Sequence, residues 1–330
     1  MDKTRALLLI GALLLFSCKL ATKQNNTQLA EYQLVPNWPA LPAGYPLSQV
    51  TGVGIDKAQN VFLFHRTGRK WTEPFPDSMI SVNTILMMDR QTGKMLNSWG
   101  ANQFVMPHGL TVDKDDNVWV TDVALHQVFK FTHEGQLLMT LGQARQAGTD
   151  SLHFNLPTDV AVASDGSLYV SDGYGNSRVV KFSPSGKYLF AWGTKGDQPG
   201  QFKTPHGIDL DAAGNVYVAD RENNRIQKFD ADGKFINSWK NDLAEQLYSL
   251  TVDKSHNQVF AADYLTQLKL KPLGSDIIHL DTSLHFFSRF GRSGQYEGPI
   301  SRYHDIAIDN EGNIYAGDIL NNTIQKFSKR

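Results

Sequence analysis

Three of the ten histidines in this 330-residue chain occupy one place in a recurring phrase. His108 stands in PHGLTVDKDDNVWVTD, His206 in PHGIDLDAAGNVYVAD and His304 in YHDIAIDNEGNIYAGD. The matching positions of three further copies hold Thr51, Thr158 and Tyr248, so the histidines fall in alternate copies. If six copies close into a ring, alternate members lie about 120° apart and their imidazoles converge on the axis. The single cysteine, Cys18, lies far outside the repeats and offers no thiolate ligand there. Three neutral imidazoles with room for a fourth ligand suit a catalytic zinc ion, or another divalent metal, better than a closed structural site. The plainer role of a histidine in such a turn is to hydrogen-bond a backbone carbonyl, and residue types alone leave both roles open.

Other chemistry gathers at the same mouth. The second stretch of each copy is expected to run antiparallel to the first and to end beside its start. Residues just past that end include Arg66, Tyr174, Arg221 and Tyr264. A guanidinium can clamp a carboxylate through two parallel hydrogen bonds, and a phenol can take or give a proton. The preceding aspartates, Asp122, Asp172, Asp220, Asp263 and Asp318, recur once per copy at a turn and read as architecture. His65 replaces that aspartate in the first copy, while His126, His133, His153, His256, His279 and His285 share no repeat position and read as surface or packing residues. Trp99, Trp192 and Trp239, near the copy ends, are expected to pack between sheets. A serine nucleophile elbow, a phosphate loop and a dinucleotide fingerprint are all missing from any suitable strand-turn-helix context.

The elements that must position these residues are short strands. Each copy reads as an apolar stretch, a turn bearing Asp, Asn or Gly, a β-rich stretch such as Val118-Trp119-Val120, a second turn and an alternating stretch such as Val-Phe-Lys-Phe. A fourth follows in several copies, as in LLMTLG, YLFAWG and FINSW. Such a sheet cannot bury both faces alone, so copies recurring about every 51 residues must pack around an axis. The expected fold is an all-β, six-bladed β-propeller over residues 31–330. The last copy lacks room for its outermost strand, and residues 31–38 (EYQLVPNW) are expected to supply it and close the ring.

Composition agrees. With 41% apolar and 20% charged residues the chain is an ordinary globular protein, and 32 Lys+Arg against 33 Asp+Glu leave no basic face for nucleic acid. Ahead of the repeats, Lys3 and Arg5 precede an apolar run from Ala6 to Phe16 that suits a secretory signal and is short for a membrane span. Its end at Leu15-Phe16-Ser17-Cys18 resembles a bacterial lipoprotein signal. Residues 1–18 are thus expected to be a signal, 19–30 a polar tether, and the protein a monomer exported to the bacterial cell envelope and held to a membrane only by a lipid anchor.

The repeat phrases, above all FVMPHGLTVDKDDNVWVTDVALHQVFKF, PTDVAVASDGSLYVSDGYGNSRVVKF and ADRENNRIQKF, closely resemble the lyase domain of peptidylglycine α-amidating monooxygenase, the peptidyl-α-hydroxyglycine α-amidating lyase of the NHL-repeat family. The resemblance runs from about Thr51 to Phe327. It implies a six-bladed propeller with zinc on His108, His206 and His304, a catalytic tyrosine at Tyr174 and active-site arginines at Arg66 and Arg221. It also implies a structural calcium on the backbone carbonyls of Val53 and Leu110 and the carboxylate of Asp305. The implied reaction cleaves a peptide or small substrate ending in α-hydroxyglycine to an amide and glyoxylate, with the Tyr174 phenol acidified by nearby cations. Two departures stand out. The family's Met-Pro before the third histidine is replaced by Arg302-Tyr303, which adds a third arginine for substrate binding. Gly175 stands where the family has a cysteine paired in a disulfide. A competing expectation is a non-catalytic NHL-repeat scaffold that binds partners at the cell envelope. A calcium-dependent lactonase-like hydrolase would need a carboxylate-rich axis, whereas the repeat position offers Thr, His and Tyr.

Overall fold

The computed structural model describes residues 31–265, 273–292 and 299–330, so the signal-like segment, the tether and Cys18 lie outside it. The repeats form six four-stranded antiparallel sheets. Their innermost strands are Val50–Ile55, Pro107–Val112, Asp159–Val162, Pro205–Leu210, Gln246–Asp253 and Tyr303–Ile308. Each touches the next, and the last touches the first, which closes a six-bladed β-propeller. No helix among the described residues is long and apolar enough to cross a membrane.

The burial pattern follows from stacking sheets face to face. Second strands such as Val118–Asp122 (VWVTD) and Val216–Asp220 (VYVAD) are buried at every position, because both faces meet a neighbouring sheet. Outer strands revert to alternation, as in Phe235–Lys240. Trp99 packs on Phe131 of the next blade at 4.9 Å and Trp192 on Phe229 at 5.7 Å, the inter-sheet role expected of them. The turn between first and second strands is written in the sequence as Asp and Asn four apart. The Asp113 carboxylate accepts the N–H groups of Asp115 and Asn117, and Asp211 and Asp309 repeat the pattern with Ala213 and Asn215 and with Glu311 and Asn313.

The N-terminal strand closes the ring as expected. Tyr32–Leu34 pairs antiparallel with Thr323–Lys329, Tyr32 opposite Lys329 and Leu34 opposite Phe327, and becomes the outermost strand of the sixth blade. Tyr32 stacks on Phe290 at 5.2 Å and meets Phe260 edge-on at 5.9 Å, so the closing strand also grips the fifth blade. Burying that one ring contributes on the order of 2 kcal/mol. The blade aspartates are architectural. Asp122 accepts the N–H groups of Val105, Met106 and Leu125, and Asp220 holds the Lys203 N–H and the Arg225 guanidinium. Each thus fastens the loops that rim the mouth of the axis.

Candidate active site

In five blades the pairing between first and second strands slips at the shared repeat position, between Val50 and Gly52, Pro107 and Leu110, Pro205 and Gly207, Leu247 and Ser249, and Tyr303 and Asp305. A bulge releases a residue from the ladder and re-aims its side chain. Thr51, His108, His206, Tyr248 and His304 lie within these slips, and Thr158 stands just ahead of its strand. The glycines after His108 and His206 permit the crowding. A Cβ on Gly109 would sit 2.7 Å from the Thr158 carbonyl oxygen, and one on Gly207 would sit 2.8 Å from the Ser249 Cα.

The three histidines meet on the axis. Their ligand nitrogens lie within 4.8 Å of one another, and the ring centroids are 4.5 to 4.8 Å apart. Each Nδ1 faces a backbone carbonyl of the following blade: His108 that of Thr158 at 2.6 Å, His206 that of Tyr248 at 2.7 Å, and His304 that of Thr51 at 2.9 Å. A carbonyl only accepts, so Nδ1 carries the proton and Nε2 presents its lone pair. Nδ1 therefore takes the carbonyl role, and the lone pair of Nε2 is the donor that a metal ion would need. Burial holds all three pKa values well below the usual histidine range, with Arg221 acting in the same sense on each and Arg66 on His108 and His304. Neutral, buried imidazoles fixed by carbonyls are the donor set that a divalent cation such as zinc requires.

Tyr174 reaches this centre from the loop after the third blade's second strand. Its Oη lies 3.0 Å from both His108 Nε2 and His206 Nε2 and 3.2 Å from Arg221 Nη1. The expected acidification of the phenol by cations is not the net result. Burial raises its pKa above the ordinary tyrosine value, while Arg221 and Arg66 pull the other way.

Arg66 is fully enclosed. Its Nε donates to the Pro107 carbonyl at 3.0 Å and Nη1 to Gln49 Oε1 at 3.3 Å, but its Nη2 is buried without a partner. Among the described residues no carboxylate lies within ion-pair distance of it, and burial lowers its pKa to about 10. An uncompensated buried guanidinium is costly unless an anion joins it. Arg221, by contrast, already pairs with Glu222 at 2.8 Å. Arg302 sits farther out, its Nε 3.1 Å from Tyr248 Oη and its guanidinium over Tyr248 and Tyr264.

Sequence reasoning missed two residues here. Trp71 lies 4.9 Å from the Tyr174 ring, 4.9 Å from Phe75 and under the Arg66 guanidinium at 5.8 Å, forming an apolar wall of the mouth. It stands in the long connection between Val61–His65 and Ile85–Met88, where the repeat is interrupted and position carries no signal. The second is Asp159, whose signal was available. The residue after the shared position is Gly52, Gly109, Asp159, Gly207, Ser249 or Asp305, an acid only in the third and sixth blades.

Asp159 and Asp305 lie one residue deeper along the axis. Asp305 accepts the Val53 N–H at 2.8 Å, the Ser249 hydroxyl at 2.6 Å and the Ile306 N–H at 2.9 Å, and its pKa is pushed up to about 7, chiefly by burial. Asp159 accepts the Val160 N–H at 2.8 Å and the Ile208 N–H at 3.1 Å and is raised well above its usual range by burial and by Asp305. Val53, Leu110 and both carboxylates border a cavity of about 280 Å³ that runs away from the histidines. A cation would relieve this repulsion, so the residues fit the calcium that the sequence resemblance implies. The axis is thus richer in carboxylates than the repeat position alone suggests.

Comparison with known proteins bears on what this site serves. The NHL repeat model matches residues 104–131, 154–182 and 202–229. Over 322 residues the chain is 37% identical to peptidyl-glycine alpha-amidating monooxygenase B of Xenopus laevis, covering 88% of this chain and 35% of that protein. It is 36% identical over 340 residues to peptidyl-alpha-hydroxyglycine alpha-amidating lyase 1 of Drosophila melanogaster, covering 93% of this chain and 61% of that one. The chain therefore spans only part of the relatives it matches. Among solved structures, virginiamycin B lyase from Staphylococcus aureus shares the fold at a TM-score of 0.59 and 13% identity, over 91% of this chain and 99% of that one.

Proposed function

Since this chain belongs to one family with the peptidyl-α-hydroxyglycine α-amidating lyases, we propose that it is a carbon–nitrogen lyase that cleaves a peptidyl-α-hydroxyglycine, or a similar α-hydroxyglycine amide, to an amide and glyoxylate. The observation that carries the reading is the Tyr174 phenol oxygen lying 3.0 Å from two histidine Nε2 atoms, in a mouth that also holds the unpaired Nη2 of Arg66.

In this reading the substrate carboxylate meets Arg66, whose buried Nη2 gains its missing acceptor and whose charge gains its counter-ion. Tyr174 Oη takes the proton of the α-hydroxyl as the C–N bond breaks. The O–H bonding electrons become the second C–O bond of the glyoxylate carbonyl, the C–N electrons leave with the nitrogen, and that nitrogen takes from Tyr174 Oη the proton removed from the hydroxyl, which gives the neutral amide and restores the phenolate. Arg221, 3.2 Å from Oη, favours the phenolate form that accepts the proton and opposes the effect of burial. Trp71 and Phe75 shield the mouth from water on one side. His108, His206 and His304 would hold a zinc ion, which when bound supplies Lewis-acid stabilisation of negative charge developing on the substrate oxygen. Asp305 with the carbonyls of Val53 and Leu110, helped by Asp159, would hold a structural calcium below it.

The same proposal includes export and lipid anchoring at Cys18 on the bacterial envelope and action as a monomer. A scaffold without catalysis would give the bare Arg66 guanidinium no use. The test is glyoxylate release from N-benzoyl-α-hydroxyglycine by the purified full chain. Enzymatic release with equimolar benzamide is expected; a rate equal to buffer alone, with metals supplied, would dismiss the reading.

A further inference from the structure

Three guanidinium groups face the mouth, and the only carboxylate paired with any of them among the described residues is Glu222, on Arg221. The lyase reading gives Arg66 one anion, the carboxylate of the hydroxyglycine itself. Arg302 is left over, and its setting is built rather than loose. Its Nε and Nη2 both donate to Tyr248 Oη, its guanidinium lies 5.2 Å from the Tyr248 ring and 4.7 Å from the Tyr264 ring, and its backbone N–H is held by Asp318 at 3.1 Å. No hydrogen bond from its Nη1 to the protein occurs among the described residues. Elsewhere the fold answers such groups: Arg178 pairs with Asp172, Arg225 with Asp220, and Arg289 and Arg292 with Asp263.

Position gives this spare cation a use. The Tyr248 ring touches His206 at 5.2 Å and His304 at 5.7 Å, so Arg302 stands one aromatic ring away from the histidine centre. Arg221 lies over the same ring at 5.2 Å. That is the reach of a side chain on the group next to the hydroxyglycine, while the hydroxyglycine occupies the axis. A planar guanidinium backed by two phenol rings is pre-organised for a carboxylate and loses little freedom in binding one.

We propose that Arg302 forms a second anion subsite, selecting substrates in which the residue or acyl group preceding the α-hydroxyglycine carries a carboxylate of its own. This rests on the lyase reading for the position of the hydroxyglycine. An acidic residue at the penultimate position of a peptide and a small dicarboxylic acyl group present the same chemistry.

The test separates the two claims. Binding of N-acetyl-glutamyl-glycine and N-acetyl-glutaminyl-glycine to the full chain is measured by calorimetry; they differ by one charge and lack the hydroxyl, so turnover plays no part. The glutamyl ligand is expected to bind at least about fivefold more tightly, as a charge-assisted pair requires. In Arg302→Met the two affinities should fall within about twofold of each other, and Arg302→Lys should restore part of the difference. Equal affinities in the unaltered protein, or a preference that survives in Arg302→Met, overturn the subsite. Replacing the glutamyl ligand with glutaryl-glycine tells a dicarboxylic acyl group from a peptide. Failure of the lyase reading would show separately, as absence of glyoxylate from the hydroxylated forms of both ligands.

Discussion

Even and odd blades of this ring carry the same strands but do different work. Blades two, four and six present His108, His206 and His304 to the axis; blades three, five and one present the carbonyls of Thr158, Tyr248 and Thr51 that hold those rings. One repeat position thus alternates between imidazole and support. The difference teaches that the arrangement of imidazoles on the axis belongs to neither set alone. A histidine without the next blade's carbonyl would be free to choose its tautomer, and a carbonyl without a histidine would hold nothing.

The comparison is broken most severely from the even side. His206→Ala should lower glyoxylate release by more than about a hundredfold and reduce bound zinc below one per chain, as seen by metal analysis, because losing a ligand exceeds the cost of losing an outer-shell partner. His108→Ala and His304→Ala should match it. Tyr174→Phe, from an odd blade, should keep its metal yet lose roughly a hundredfold or more in turnover, which separates binding from proton transfer. If turnover survives in Tyr174→Phe, another group takes the proton.

A smaller effect tests the supports. Thr158 Oγ1 lies 2.8 Å from both the Ser171 and the Pro205 carbonyl oxygens, which fixes the segment whose own carbonyl orients His108. Thr158→Ala should weaken zinc affinity by about tenfold, read by competition with a chelator, while leaving metal stoichiometry at saturation unchanged.

The smallest effect at neutral pH comes from blade one, where His65 replaces the blade aspartate. It is buried, neither ring nitrogen has a partner at good hydrogen-bond geometry, and burial lowers its pKa to about 4 against a weak opposing contact with the Asn83 backbone. The folded state therefore resists protonation that the unfolded chain accepts. Its contribution is fully present above about pH 6.5 and is lost as pH falls toward 4, by on the order of 3 kcal/mol. His65→Leu should flatten that part of the denaturation profile while changing little at pH 8.

How much of this was legible follows from what repeats. The blades, the closing strand at Tyr32 and the convergence of the three histidines could be read because one phrase recurs and its odd residues line up. Trp71 could not, since it lies in a connection with no counterpart in other blades. Asp159 was legible in principle, one residue past the compared position, but two acids among three glycines and a serine give little signal without knowing that Asp159 and Asp305 come together on the axis. Burial of Tyr174 was not legible at all. Arginines nearby suggest a lowered pKa, and only the packing of Trp71 and the histidines shows that desolvation outweighs them.

The central claim is that imidazoles from three alternate blades share one divalent cation. Diffraction from crystals of the protein, recorded on both sides of the zinc absorption edge, tests it directly. A single anomalous peak bonded to Nε2 of His108, His206 and His304 is the predicted result. A zinc peak elsewhere with none between these rings, or three imidazoles turned away from the axis in zinc-soaked crystals, would contradict it.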